Sequence, residues 1–362
     1  MKNNFHIRQK GFTILELLVA VSVTALLAGM LLNITSQVVK TQTEASGDLE
    51  TNQIAQFVLD RIQEDLQCAI FRNDGNVWMV AEVVESVDEI EGWDDTDSTI
   101  KKPEIESIRI HFDDWPEEEI SAVEEANLQG PFNESRFGVG GTWLRFFSNV
   151  PELDPDAENS GGARAISYQI IRHGLTSSET STPKYQLFRA DVSDINTLKA
   201  GYNLEADSYK IPSTNSPRES GNIANPLFTR TDGNPSTDFS LAANIVDFGI
   251  RAYLLRERSK GTGYLEQIFP DLNSSSEILP LTVTSNPSLH QDPQKRRFHA
   301  FPDVIDVMIR VLTTEGASAL AAYEDGLIPP SNEMNEGEFW WDLVEKNSEV
   351  YIRRIKIFSE GI

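Results

Sequence analysis

Glu16 is the only charged residue between Phe12 and Ile34, and the 18 residues that follow it, Leu17 to Ile34, carry no charge. A lone carboxylate in so apolar a stretch is costly to bury, so it calls for a cation to pair with or a route to water. Ahead of it stand a basic residue, a glycine and an aromatic, in the run Lys10-Gly11-Phe12-Thr13-Ile14-Leu15. The residues before the glycine include Lys2, Arg8 and Lys10 and no acid. Charge, glycine, phenylalanine and carboxylate thus sit within one short segment at the edge of an apolar run, and a plain anchor explains only the run.

Elsewhere the residue types that could do chemistry fail on spacing. Asp154, Asp156 and Glu158 alternate oxygen ligands as a calcium loop does, but its sixth position is Asn159 rather than glycine and its twelfth is Ala165 rather than glutamate. A solvated acidic loop is the expectation there, with calcium the one cofactor left open; Trp93-Asp94-Asp95-Thr96-Asp97 reads the same way. His290 and His299 flank Lys295-Arg296-Arg297, a basic island in an acidic chain that reads as a solvated loop. Gly138, Gly140 and Gly141 miss the dinucleotide pattern, because Trp143 stands where its last glycine belongs, and they predict a turn into a strand. No HExxH, GxSxG or phosphate-binding loop occurs, so no enzyme is expected. Cys68, the only cysteine, can form no internal disulfide and reads as a small buried apolar residue. For Trp340-Trp341 the expectation is one ring in the core and the other a candidate partner contact.

The elements that must position these residues follow from the apolar periodicity. Residues 12–34 form a 23-residue stretch; as a helix it would span about 35 Å, enough to cross a bilayer. The basic leader, residues 1–11, would stay cytoplasmic and the rest would be sent outward. A cleaved secretory signal shares the basic start and apolar core, but this core is long, holds Glu16, and offers only Ala25-Leu26-Leu27-Ala28-Gly29 as a cleavage site. Beyond Ser36 the chain turns polar, and Ile54, Phe57, Val58, Ile62, Leu66 and Ile70 then recur at helical spacing. Residues 35–70 are therefore expected to continue the same helix as an amphipathic half, with Gly29 and Gly47 as soft points.

After position 70, β-like runs recur at residues 77–84, 107–112, 142–150, 163–172, 184–192, 244–254, 304–312 and 350–358, with helices at 314–323 and 338–346. Acidic or Ser/Pro/Asn-rich stretches at 85–106, 151–162 and 208–238 separate them as loops or insertions. The pattern is α+β: a long N-terminal helix packed on a mostly antiparallel sheet, with residues 71–362 as a globular domain. Acids outnumber bases 56 to 31, and losing the three leader bases would take the net charge from −25 to −28. Such a surface argues against nucleic acid or an anionic membrane face as partner of the soluble part.

The N-terminal run from Lys10 to Ala20 resembles the start of type IV prepilins and type II secretion pseudopilins. The resemblance implies that a membrane prepilin peptidase cuts between Gly11 and Phe12 and that the new amine of Phe12 is methylated. It also implies that Glu16 serves assembly: the amine of a neighbouring subunit's first residue would pair with it, favouring lateral docking of helices. Further along, Ala165-Ile166-Ser167-Tyr168-Gln169-Ile170-Ile171-Arg172 followed by Tyr185-Gln186-Leu187-Phe188-Arg189 is similar to a hairpin of J-type minor pseudopilins and W-type minor pilins. There a strand bearing a tyrosine precedes a strand ending Leu-x-Arg. Residues 245–253 and 301–310 resemble later strands of the same proteins. The chain is long for that group and its acidic insertion, residues 85–125, has no counterpart there; the chain resembles the larger prepilin-like proteins of the Verru_Chthon cassette type.

Two function classes follow. In one, the protein is a minor subunit of a type IV pilus or secretion pseudopilus in the inner membrane, with other pilin or pseudopilin subunits as partners and an extracytoplasmic, periplasmic domain. In the other, the same anchor displays an adhesin-like binding domain. The acidic insertion and the loops discriminate them.

Overall fold

The computed structural model describes residues 13–84, 131–138, 140–149, 162–174, 183–192, 194–206, 209, 240–257, 263–272, 278–286, 298–330, 334 and 336–357. The chain is α+β: one long N-terminal helix, α1 (Ile14–Gln67), precedes a mostly antiparallel β domain. Residues Met1–Leu49 and Glu50–Ile362 form two separate compact units.

In the first unit the helix is apolar enough and long enough to cross a membrane, and its apolar side chains, from Ile14 and Leu15 to Leu31 and Leu32, stand exposed. Exposed apolar surface on every side of a helix is what lipid accepts and water does not. Ser22, Thr24 and Thr35 return their hydroxyls to backbone carbonyls three or four residues back, leaving no polar atom of theirs unpaired.

In the second unit the rest of α1 is amphipathic. Ala55, Val58, Leu59, Ile62 and Leu66 are buried, spaced three or four apart on one face. Phe57, expected on that stripe, instead stands 57% exposed, and Ala55 and Leu59 take the core positions. The helix stops at Gln67 rather than at residue 70 because the next backbone groups are captured by a sheet. Ile70 N–H donates to Phe147 O at 2.8 Å, and Asn149 N–H donates to Cys68 O at 2.9 Å.

Two sheets share the core with this helix. The first has strand order β11-β10-β1-β2-β3-β4-β5. Its members are β1 (Val77–Val83), β2 (Thr142–Ser148), β3 (Arg164–Gly174), β4 (Pro183–Val192), β5 (Ser240–Ala243), β10 (Leu281–Thr284) and β11 (Phe298–His299). Only the β10–β11 pair is parallel. The second has order β13-β12-β6-β7, from β6 (Ile245–Glu257), β7 (Gly263–Phe269), β12 (Val304–Leu312) and β13 (Ser348–Lys356), all antiparallel. A two-stranded ribbon joins β8 (Asp271–Leu272) to β9 (Ile278–Leu279). One hydrophobic cluster draws on α1, both sheets, α3 (Thr314–Glu324) and α4 (Glu336–Lys346).

Expected and observed strands agree along most of the described chain. The run at 107–112 lies outside the described residues, as do the insertion at 85–106 and, apart from Tyr209, that at 208–238. The sequence did not announce β7, β10 or α2 (Asp194–Ala200). The last of these, with Leu204 and Tyr209, covers the outer face of the first sheet over Trp78, Phe147 and Ala165, making a second, smaller core. That is why β2 is buried at every position instead of alternating. Gly138 and Gly141, with φ of 88° and 59°, make the turn that leads into β2, as the sequence predicts.

A strap, residues 131–138, crosses one face of the second sheet. Phe137 lies so close to Gly249 of β6 that a Cβ there would sit inside the ring, so glycine is required at that position. Phe132 packs edge-on to Phe137 and under the Arg251 guanidinium.

Candidate functional site

At the start of α1, Thr13 and Glu16 hold each other. Thr13 N–H and Thr13 Oγ1 donate to Glu16 Oε2 at 3.0 and 3.1 Å, and Glu16 N–H donates to Thr13 Oγ1 at 3.2 Å. This is a capping box: two backbone donors that a helix start leaves orphaned are satisfied reciprocally. In hydrocarbon such orphans would cost several kcal/mol each (order ~2–7), so Glu16 earns its place in part within its own chain. The cap is a third role for Glu16, beside a cation partner or a route to water, and the spacing Thr13-x-x-Glu16 is its signal in the sequence. Gly11 and Phe12 lie outside the described residues.

The hairpin β3–β4 carries a second arrangement. Tyr168 and Arg189 face each other across the strands, as do Arg172 and Tyr185 four residues along. Each pair grips a buried carboxylate borne by a helix. Asp65 of α1, fully buried, receives Arg189 Nε at 2.6 Å and Arg189 Nη2 at 3.0 Å, together with the Tyr168 hydroxyl. Glu324 of α3 receives Arg172 Nε at 3.0 Å and Nη2 at 2.8 Å, the Tyr185 hydroxyl, and Trp340 Nε1 at 3.0 Å. Arg189 and Arg164 share Asp191, which extends the first network. Both tyrosine hydroxyls are held well above their ordinary range, first by burial and then by the carboxylate each one faces.

These clasps fix the amphipathic half of α1 and the α3–α4 pair to the first sheet. The second sheet adds its own ties to the helix: Tyr351 bonds Thr51 at 2.9 Å, and Arg353 pairs with Asp60. Arg354 turns the other way and pairs with Asp306 through two bonds of 2.7 Å. The adjacent Arg353 and Arg354 therefore place one cation on each face of an edge strand.

The remaining candidates divide. Asp154, Asp156 and Glu158, the cluster at 93–97 and the island at 295–297 lie outside the described residues. Among the described residues no group of three His, Cys, Asp or Glu side chains is placed to hold a metal ion. Cys68 is half-buried, and burial pushes its thiol up. Trp340 and Trp341 correct the expectation of one ring outside: both are buried, edge-to-face at 4.9 Å, because Arg136 of the strap covers the second ring at 5.1 Å.

The chain matches no curated protein and no solved structure. Residues 7–32 match the model of the prokaryotic N-terminal methylation motif, which implies processing by a prepilin peptidase and pilin assembly. That stretch contains Thr13, Glu16 and the start of the exposed apolar helix. By its N-terminus the chain is a type IV prepilin-like protein.

Proposed function

We propose that the chain is a minor structural subunit of a type IV pilus or type II secretion-type fibre, similar to J-type pseudopilins and W-type pilins, and that its work is assembly rather than catalysis. The observation that carries this reading is the methylation motif, placed directly on a helix that can span a membrane. Prepilin peptidase cuts between Gly11 and Phe12 and the Phe12 amine is methylated. The leader lies in the cytoplasm, residues 12–34 in the inner membrane, and residues 71–362 outside it.

Glu16 then has two successive partners. Before assembly Thr13 holds it, which satisfies the helix start; in the fibre the amine of a neighbouring subunit replaces part of that cap with an ion pair. Two charges that are each costly in hydrocarbon are tolerable together. The hairpin clasps support the reading from the other end, because they hold the globular domain to the amphipathic half of the same helix.

Cross-linking in native membranes tests it. The reading expects the mature chain to be captured with other subunits that bear the same N-terminal motif, and the capture to fall at least tenfold in Glu16→Ala. Capture at wild-type yield in that variant, or a chain found only alone, contradicts it.

A further inference from the structure

Asp247 of β6 is a carboxylate with no exposed surface, lying directly beneath the strap. The amide of Phe137 donates to both of its oxygens, at 3.1 and 3.2 Å. Arg310 stands opposite on β12, also buried, yet the two form no ion pair among the described residues, and Arg310 Nε has no hydrogen-bond partner. The other charged groups around the strap are engaged elsewhere. Arg136 is bound to Glu345 of α4 at 2.7 Å, Arg251 of β6 donates to Ser135 at 2.9 Å, and Asp306 of β12 pairs with Arg354 of β13. Glu134 is exposed at the strap's own surface.

We propose that the strap is a proton-gated latch, closed on the second sheet while Asp247 carries a proton and released as that proton is lost. The geometry supplies the reason. Burial with no direct ion pair favours the neutral carboxyl, and it outweighs the cross-strand Arg310, the more distant Arg136 and the Phe137 and Phe248 amides, which all favour the charge. Lifting the strap is the motion that would return the group to water. Lifting the strap would part the Phe137 amide from Asp247, Arg251 from Ser135, Arg136 from Glu345 and from the Trp341 ring, Phe137 from Gly249 and Phe132 from Arg251.

The sign follows from linkage. Burial raises the Asp247 carboxyl to about 7, against the opposing pull of Arg310, the Phe137 amide and Arg136. With the strap lifted the group returns toward the ordinary value of about 4. Between these two values lifting releases a proton, so the opening constant rises about tenfold for each pH unit, and above 7 it is level. The latch is tight in acid and loosest at neutrality and beyond.

Hydrogen exchange at residues 131–138, measured on the full chain in detergent and corrected for intrinsic rates, reads this directly. Protection is expected to fall about 50-fold from pH 5 to pH 7 and to level off within about another twofold above that, and to be independent of pH in Asp247→Asn. Constant protection in the wild type overturns the proposal, as does an equal fall in the variant. Should Asp247→Asn not fold, the carbon-13 titration of the Asp247 carboxyl in the wild type decides. A midpoint near 7 that moves the Phe137 amide signal in step supports the latch, and a midpoint below 5 overturns it.

Discussion

Arg189 reaches Asp65 across 124 residues of sequence and meets it with two nitrogens, at 2.6 and 3.0 Å, at a site where the carboxylate has no exposed surface. Tyr168 adds its hydroxyl to the same oxygen that Arg189 Nε takes. The amphipathic half of α1 is thus bound to the β domain by a buried charge rather than by apolar packing alone. Removing one partner of such a pair strands the other without water. Asp65→Asn should cost about 3–5 kcal/mol, and Tyr168→Phe about 1–2 kcal/mol. Denaturant unfolding of the two variants and their double mutant checks this, with the double mutant costing less than the sum.

The Glu324 clasp should behave as a local lock. With Glu324→Gln the guanidinium of Arg172, 2% exposed, loses its counter-charge while the shape of the site is kept. The α3–α4 pair should loosen before the sheets do. Limited proteolysis is expected to cut within residues 314–346 at least tenfold faster, at unchanged exchange protection of β12.

Gly249 tests the strap from the other side. Gly249→Ala places a methyl in the Phe137 ring and should destabilise by about 1–3 kcal/mol through overpacking. Adding Phe137→Ala should then cost less than it does in the wild-type background, because the displaced ring is already out of place.

Alkaline titration has a definite sign. Tyr168 and Tyr185 are raised well above 10 by burial and by Asp65 and Glu324, and Tyr323 is raised to about 12 by burial. Their phenols are neutral in the fold and would ionise above about pH 10 in the unfolded chain. The stability they contribute is intact below that pH and is lost as pH rises past it. Tyrosinate absorbance should therefore appear in two steps, the second coinciding with loss of the fold.

The sequence showed the elements better than the ties between them. The apolar run after Glu16, the helical stripe and the long strands are local patterns, written in consecutive residues. Tyr168 and Arg189 stood out through their resemblance to a known hairpin, but Asp65 did not, because a polar residue on a helix face gives no sign that it lies under a sheet 103 residues further on. Phe57 was misplaced for the same reason: helical spacing names a stripe, and the tertiary contacts choose its edges. The α2 cover was hidden because a seven-residue helix has almost no periodicity to read. At Thr13-x-x-Glu16 the signal is present and local, but a carboxylate at the edge of an apolar run points equally to a cation partner.

Cap and charge can be separated at Glu16. Thr13→Ala removes the side-chain half of the cap and should cost about 1 kcal/mol of helix stability while leaving capture by neighbouring subunits within a few-fold. Glu16→Gln keeps an acceptor for Thr13 and removes the charge, and should leave membrane insertion intact while capture falls sharply. Cross-linking yield in membranes, read for both variants, distinguishes a residue that only caps from one that also pairs.

Processing at the N-terminus can be read from the mass of the first peptide of the mature chain, expressed with and without a prepilin peptidase. The chain is expected to begin at Phe12 and carry one methyl group when the peptidase is present, and to keep its leader when it is absent. A leader retained in both cases, or a cut near Ala28, would contradict it.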